Sequence, residues 1–192
     1  DRTLVVFLSD HGEEFYDHED FTHGHTMYDE LLHVPLVISG PGIEAAGQSV
    51  ETQVRLLDLV PTLCEIAGAH TPEEARGRSL APFLRGEEMD ELPAFSETLH
   101  TSVFEKKSMR YNGYKLIYDV ERERVELYDV RQDPREQVNL ADSKPEIVGA
   151  MLPDLKTWMV QSAQTATELP RQRPLTHSLD DEMRQRLRDA GY

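Results

Sequence analysis

Residues 4–42 decide the fold of this chain and read LVVFLSDHGEEFYDHEDFTHGHTMYDELLHVPLVISGPG. The opening run, residues 4–8, is too short and too rich in branched apolar side chains to favour a helix. No polar residue interrupts it, which predicts a strand buried on both faces, as in parallel sheets. The run ends at Ser9, and Asp10 and His11 follow at once.

Asp10 and His11 are candidate metal ligands because of their position. In open α/β sheets, ligands bind at the carboxyl ends of strands. Gly12 allows a sharp turn there, so that both side chains could reach one ion instead of pointing to opposite faces. A carboxylate and an imidazole suit calcium with the help of other oxygens, and also manganese or zinc.

A short helix and a second strand close the stretch. Thr26 is expected to cap a helix over residues 26–32, with Asp29 and Glu30 in its first turn. The apolar residues 34–39 predict the second strand, which ends in a Gly-Pro-Gly turn.

The loop between the strands carries three histidines. His23 and His25 flank Gly24, and in an extended segment their rings would share one face, where the glycine permits close approach of a ligand. Ordinary loop hydrogen bonding is the alternative for both. His18 lies in an acidic run and is expected to be solvated or paired with an acidic neighbour.

The blocks SDHGEE and HGHTMYDELLHVPLVISGPG together resemble the second half of a sulfatase of the alkaline phosphatase superfamily. The resemblance implies that Asp10 and His11 bind the active-site metal, usually calcium. It implies that His25, with His23, contacts the sulfate or the leaving group. The nucleophile and the remaining metal ligands would come from an upstream half of the same enzyme.

Two positions depart from the commonest sulfatase pattern. That pattern has Asn after the metal-binding Asp and Lys in the basic position, whereas this chain has His11 and His25. Histidine in both places resembles the branch shared with phosphonate and phosphate ester hydrolases. Sulfate and phosphate or phosphonate esters therefore both remain open as substrates.

Cys64 is the one cysteine of the chain, so an internal disulfide is excluded. It falls in a predicted helix over residues 57–68, which Asp58 would cap and Gly68 would end, and we expect it to pack on the apolar face. Sulfatases form their nucleophile from cysteine in a Cys-x-Pro-x-Arg motif, and Cys64 is not followed by that motif. The resemblance thus implies that the nucleophile is missing here.

The residue pattern of the C-terminal half predicts a small antiparallel meander followed by helices. Strand-like runs cover residues 107–110, 114–118 and 125–129, and a long helix begins at Pro145. Residues 163–176 are expected to form an extended linker, and residues 179–192 a helical tail. The segments GRSLAPFLRG and LYDVRQDPREQVNL also resemble sulfatase landmarks, and in the second we expect Asp133, Glu136 and Asn139 to form turns and caps.

The predicted fold class is α/β. Residues 1–90 would form part of an alkaline-phosphatase-like mixed or parallel sheet with flanking helices, the C-terminal portion of a catalytic domain. Residues 91–192 would form a C-terminal subdomain of antiparallel sheet and helix. The abrupt start of the chain in a strand suits a fragment of a longer protein.

The charge excludes some partners. The chain has 20 basic and 36 acidic residues, for a formal charge of −16, which disfavours nucleic acid and anionic membranes. No apolar run reaches the roughly 18 residues that a membrane span needs.

The sequence therefore predicts metal-dependent hydrolysis of sulfate esters, with this chain supplying part of the site and inactive alone. A phosphodiesterase or phosphonate monoester hydrolase of the same superfamily is the first alternative. The second is a non-catalytic metal-binding or interaction module, in which His18, His23 and His25 would bind a divalent ion by themselves.

Overall fold

The computed structural model describes residues 3–98, 105–168 and 186. Its elements, in chain order, are β1 (Val5–Leu8), β2 (Glu14–Phe15), β3 (Phe21–Thr22), α1 (Asp29–Leu32), β4 (Leu36–Ser39), a 3-10 turn (Leu56–Asp58), α2 (Leu59–Ala67), α3 (Ala81–Leu84), β5 (Ala94–Glu97), β6 (Lys106–Tyr111), β7 (Tyr114–Asp119), β8 (Arg124–Asp129) and α4 (Pro145–Glu168). This mixture of helices and sheets confirms the α/β class. None of the described helices is long and apolar enough to cross a membrane.

Strands β1 and β4 pair with each other, but they run antiparallel, with Val6 opposite Ile38. The expectation of a parallel strand buried on both faces is therefore wrong for this pair. Phe7 is 63% exposed and Val37 56% exposed, because the described sheet has two strands and little packs on them. The position of Asp10 and His11 directly after β1 is as predicted.

Strands β6 to β8 form the predicted antiparallel meander, and β5 extends it to a sheet of four strands in the order of the chain. The turn between β6 and β7 is Asn112-Gly113, with φ of 51° and 79°, which is the geometry of a tight type I′ hairpin. Helix α4 packs on one face of this sheet, where Leu116, Leu127 and Leu155 have no exposed surface. This face is the main core of the described chain.

The helices lie where the sequence predicts them, with three differences. Gly68 ends α2 in the left-handed conformation, as predicted, but the Asp58 carboxylate binds Arg55 and the backbone N–H of Arg78 instead of capping the helix. Helix α1 begins at Asp29, so Thr26 does not cap it. Helix α4 continues to Glu168, so the linker prediction is wrong for residues 163–168; the remaining linker and all of the tail except position 186 lie outside the described residues.

Helix α1 is attached to the meander by buried charges. The Nζ atom of Lys115 on β7 lies 2.8 Å from Oδ1 of Asp29 and 2.9 Å from Oε1 of Glu136. Glu136 in turn accepts a hydrogen bond of 2.6 Å from the backbone N–H of Asp29. Glu136 thus caps α1 from a distant turn, and the meander fixes the segment that carries the loop histidines.

Candidate functional site

Asp10 and His11 lie side by side after β1. Oδ1 of Asp10 and Nε2 of His11 are 4.0 Å apart, a separation that two ligands of one ion can have. The Asp10 side chain is 79% exposed. Nδ1 of His11 is 2.7 Å from the carbonyl oxygen of Gly12 and donates to it, which leaves the lone pair on Nε2, the nitrogen that faces Asp10. The pair fits a metal site that needs further ligands.

Gly12 is required here by close backbone contact. Its N–H donates to the Leu31 carbonyl at 2.8 Å, and a Cβ atom at this position would lie 1.9 Å from the Glu30 carbonyl oxygen. The sequence predicted a turn at Gly12, and the structure adds that any side chain there would collide with α1. Helix α1 therefore sets the position of His11.

His23 joins this pair. Its ring stacks on the His11 ring with centroids 4.3 Å apart, and its Nδ1 lies 3.0 Å from Oε2 of Glu13. This contact brings the DHG segment and the HGH segment into one surface. It places a candidate substrate residue directly against a candidate metal ligand.

His25 is held by a buried carboxylate. Its Nε2 lies 2.9 Å from Oε2 of Glu14, whose side chain is 1% exposed, and 3.7 Å from Oδ2 of Asp20. Gly24 has φ of 85°, so residues 23–25 are not extended, and the condition for the two rings to share a face does not hold. Thr98 on the meander side donates to the Gly24 carbonyl at 2.6 Å and fixes this turn.

His18 does not pair with its acidic sequence neighbours as expected. Its Nδ1 lies 2.6 Å from Oε1 of Glu30 and its Nε2 3.2 Å from the carbonyl oxygen of Glu136, while its ring stacks on Tyr28 at 3.6 Å. Burial lowers the pKa of His18, but its hydrogen bonds to Glu30 and Glu136 and the charges of these two residues outweigh that effect and raise it. His18 therefore connects the loop to the meander.

The three loop histidines do not converge within the described residues. His18, His23 and His25 each bind a different carboxylate, on Glu30, Glu13 and Glu14 respectively. In the described ranges, the group whose candidate ligand atoms lie within 4.8 Å of one another is Glu14, His18 and Glu30. Hydrogen bonds join its members to each other and to backbone amides, so they can hold the loop together without an ion.

The sequence did not single out Glu14 or Lys115, whereas Glu136 forms a cap as predicted. The hydrogen bonds of Glu14 go to His25 and to loop amides. The available signal was the sequence position of Lys115, a charged residue within the apolar run of β7.

A comparison with known protein families shows which family this chain belongs to. Residues 16–163 match the family described as N-sulphoglucosamine sulphohydrolase, C-terminal. The chain belongs to this sulfatase family. The match includes the loop histidines, helix α1 and the meander, while Asp10 and His11 lie just before it.

Individual proteins that resemble this chain include sulfatases and a related hydrolase. The chain is 37% identical over 147 residues to Delta 4,5-hexuronate-2-O-sulfatase of Bacteroides thetaiotaomicron, covering 73% of this chain and 31% of the relative. A solved 2-O GAG sulfatase superposes with a TM-score of 0.76 at 32% identity, covering 87% of this chain and 38% of that one. The phosphonate monoester hydrolase of Agrobacterium radiobacter superposes with a TM-score of 0.66 at 28% identity, covering 84% and 35%. The chain thus spans about a third of the length of these proteins.

Proposed function

We propose that this chain contributes metal ligands and substrate contacts to an enzyme that hydrolyses sulfate esters with the help of a divalent metal. The observation that carries the proposal is the stacking of His23 on His11 at 4.3 Å, because it joins the two motif segments into one surface at the end of β1. The match to a sulfatase family supports the same assignment.

Asp10 and His11 would hold the metal, most simply calcium, with manganese or zinc as alternatives. The exposed carboxylate of Asp10 and the Nε2 lone pair of His11 fit such an ion, and other ligands would have to complete its shell. When bound, the ion would neutralise charge on the non-bridging oxygens of the ester. Since the chain carries a formal charge of −16, an anionic ester needs local positive charge of this kind.

His25 and His23 would contact the ester. The described contacts of the His25 ring are made at Nε2, which leaves Nδ1 as the nitrogen that can meet a sulfate oxygen or the leaving group. With both ring nitrogens protonated, His25 would act from Nδ1 as general acid for the departing alcohol. His23 would support the ester from its place beside His11.

The nucleophile would come from the rest of the enzyme. Cys64 lies in α2, and the sequence around it lacks the sulfatase nucleophile motif. The apolar surface of β1 and β4, with Phe7 63% and Val37 56% exposed, is where the remainder of such an enzyme would pack. The partner would be an upstream half of the same enzyme.

A phosphonate or phosphate ester is the second candidate substrate. Histidine at positions 11 and 25 favours it, together with the likeness to the phosphonate monoester hydrolase of Agrobacterium radiobacter. The two candidates share the same metal and histidine roles and differ in the transferred group.

Two chimeras test the proposal. In the first, this chain replaces the matching C-terminal segment of the Bacteroides thetaiotaomicron sulfatase, and in the second it replaces that of the Agrobacterium radiobacter hydrolase. Each would be assayed with 4-nitrophenyl sulfate and with a 4-nitrophenyl phosphonate ester. We expect the sulfatase chimera to hydrolyse the sulfate ester, and Asp10→Ala and His25→Ala each to lower that activity at least about 100-fold.

The activities of the two chimeras distinguish the two candidate substrates. Activity of the hydrolase chimera alone, on the phosphonate ester, would favour the second candidate. A folded sulfatase chimera whose activity survives both substitutions would refute the roles of Asp10 and His25.

A further inference from the structure

Glu14 is the most buried carboxylate in contact with the candidate site. It lies at the start of β2, its side chain is 1% exposed, and no cation pairs with it among the described lysine and arginine side chains. A buried carboxylate is costly unless hydrogen bonds satisfy it. Hydrogen bonds must therefore stabilise the Glu14 carboxylate at this buried position.

Three nitrogen atoms converge on this carboxylate. Oε1 accepts the backbone N–H of His18 at 2.9 Å and that of Asp20 at 3.0 Å. Oε2 lies 2.9 Å from Nε2 of His25. One oxygen thus holds the loop backbone, and the other faces the candidate substrate residue.

An ionised carboxylate suits this arrangement because it accepts with both oxygens and donates with neither. The two backbone N–H groups can only donate, so Oε1 must be an acceptor. If Oε2 is also an acceptor, Nε2 of His25 must carry a proton. The ring is then fixed in orientation and in tautomer, with Nδ1 directed away from Glu14.

We infer that Glu14 is a positioning residue that accepts the Nε2–H of His25 and so directs Nδ1, the nitrogen that would donate the proton in the imidazolium form, towards the ester. The inference rests on the proposed role of His25. The same carboxylate fixes the backbone of residues 18–20, so the loop and the ring move together. A carboxylate that orients a histidine in this way is a recurring device in hydrolytic enzymes.

Glutamine at this position makes the inference testable, because it keeps the shape of the side chain but has one acceptor oxygen. If that oxygen stays on the two backbone amides, the NH₂ group faces His25. Nε2 must then become an acceptor, and the ring proton moves to Nδ1. Glu14→Gln therefore predicts an exchange of tautomer at His25.

The first experiment is long-range ¹H–¹⁵N correlation NMR of the histidine rings in this chain, at about pH 8.5, where free histidine is neutral. We expect a protonated Nε2 for His25 in the unmodified chain and a protonated Nδ1 in Glu14→Gln. Glu19→Gln, an exposed carboxylate of the same loop, is the matched control and should leave the tautomer unchanged. An unprotonated Nε2 in the unmodified chain would overturn the inference without any variant.

The second experiment is a double-mutant cycle in the sulfatase chimera. We expect Glu14→Gln to lower kcat on the order of 10- to 100-fold, and the variant that combines it with His25→Ala to be no slower than His25→Ala alone. Losses that multiply would overturn the inference. If His25→Ala itself leaves kcat unchanged, the proposed function of His25 has failed, and the NMR result still decides whether Glu14 sets the tautomer.

Discussion

The Nζ atom of Lys115 lies 2.8 Å from Oδ1 of Asp29, 86 positions away in the chain, and the Lys115 side chain is 1% exposed. Glu136 completes this buried group and caps α1 at the N–H of Asp29. Because α1 packs against Gly12 and follows directly on the histidine loop, this group ties the candidate site to the meander.

Removing the cation should be strongly destabilising. Lys115→Met leaves the carboxylates of Asp29 and Glu136 buried next to each other without their shared lysine, and we expect a loss of about 3–5 kcal/mol in the free energy of unfolding. Urea unfolding of the chain measures it. The matched control is Lys156→Met on the exposed side of α4, where the Nζ atom lies over the Tyr118 ring and the loss should stay below about 1 kcal/mol. Equal losses of unfolding free energy in the two variants would show that the buried Lys115 contributes no more stability than the exposed Lys156.

The contact of His18 with Glu30 should weaken at high pH. The pKa of His18 is raised above its ordinary value of 6.5, so the protonated ring contributes stability that is fully present below that value. This contribution is lost as the pH rises through the raised pKa of the folded state. We expect the difference in unfolding free energy between the unmodified chain and His18→Gln to be largest near pH 6 and to shrink towards about pH 9. A difference that grows with pH would contradict this assignment.

Asn139 should be important for the meander. Its Oδ1 accepts the backbone N–H of Leu127 at 3.1 Å and that of Ala141 at 2.9 Å, and Leu127 has no exposed surface. Asn139→Ala leaves a buried donor unsatisfied, for which we expect a loss of about 1–3 kcal/mol. Gln137→Ala, in the same turn but hydrogen-bonded to the exposed carbonyl of Arg135, should cost less than about 0.5 kcal/mol in the same thermal or urea melt. If Asn139→Ala leaves the free energy of unfolding unchanged, water has replaced the hydrogen bond to Leu127.

Cys64 should be dispensable for catalysis. It lies partly buried in α2, and nothing around it matches the sulfatase nucleophile motif. We expect the sulfatase chimera to keep its kcat in Cys64→Ala. A loss of kcat in a variant with an unchanged melting temperature would reopen the search for the nucleophile within this chain.

Local signals predicted much of the fold. The meander follows from alternating apolar residues and an Asn-Gly turn, and the ends of β1 and α2 follow from where the apolar pattern stops. The pairing direction of β1 could not be predicted, because a strand that lies antiparallel on one neighbour has the same apolar composition as a buried parallel strand. Periodicity also cannot tell where a polar run such as residues 163–168 stays helical.

The site was predictable in its residue types and not in its contacts. The position of Asp10 and His11 after a strand came from sequence, whereas the partner of His18 is 12 positions away and the cap of α1 is 107 positions away. Such contacts depend on how the meander docks on the loop, which local patterns do not encode. Whether Asp10, His11, His23 and His25 act as proposed remains a prediction for the experiments above.

The measurement that tests the central claim most directly is calcium titration of the sulfatase chimera by isothermal calorimetry, compared with its Asp10→Ala variant. The account predicts one site in the chimera, whose affinity falls at least about tenfold in Asp10→Ala. Asp17→Ala, which removes a nearby carboxylate bound to the N–H of Phe15, should leave the affinity unchanged. Calcium binding of equal affinity in the chimera and in Asp10→Ala would contradict the account.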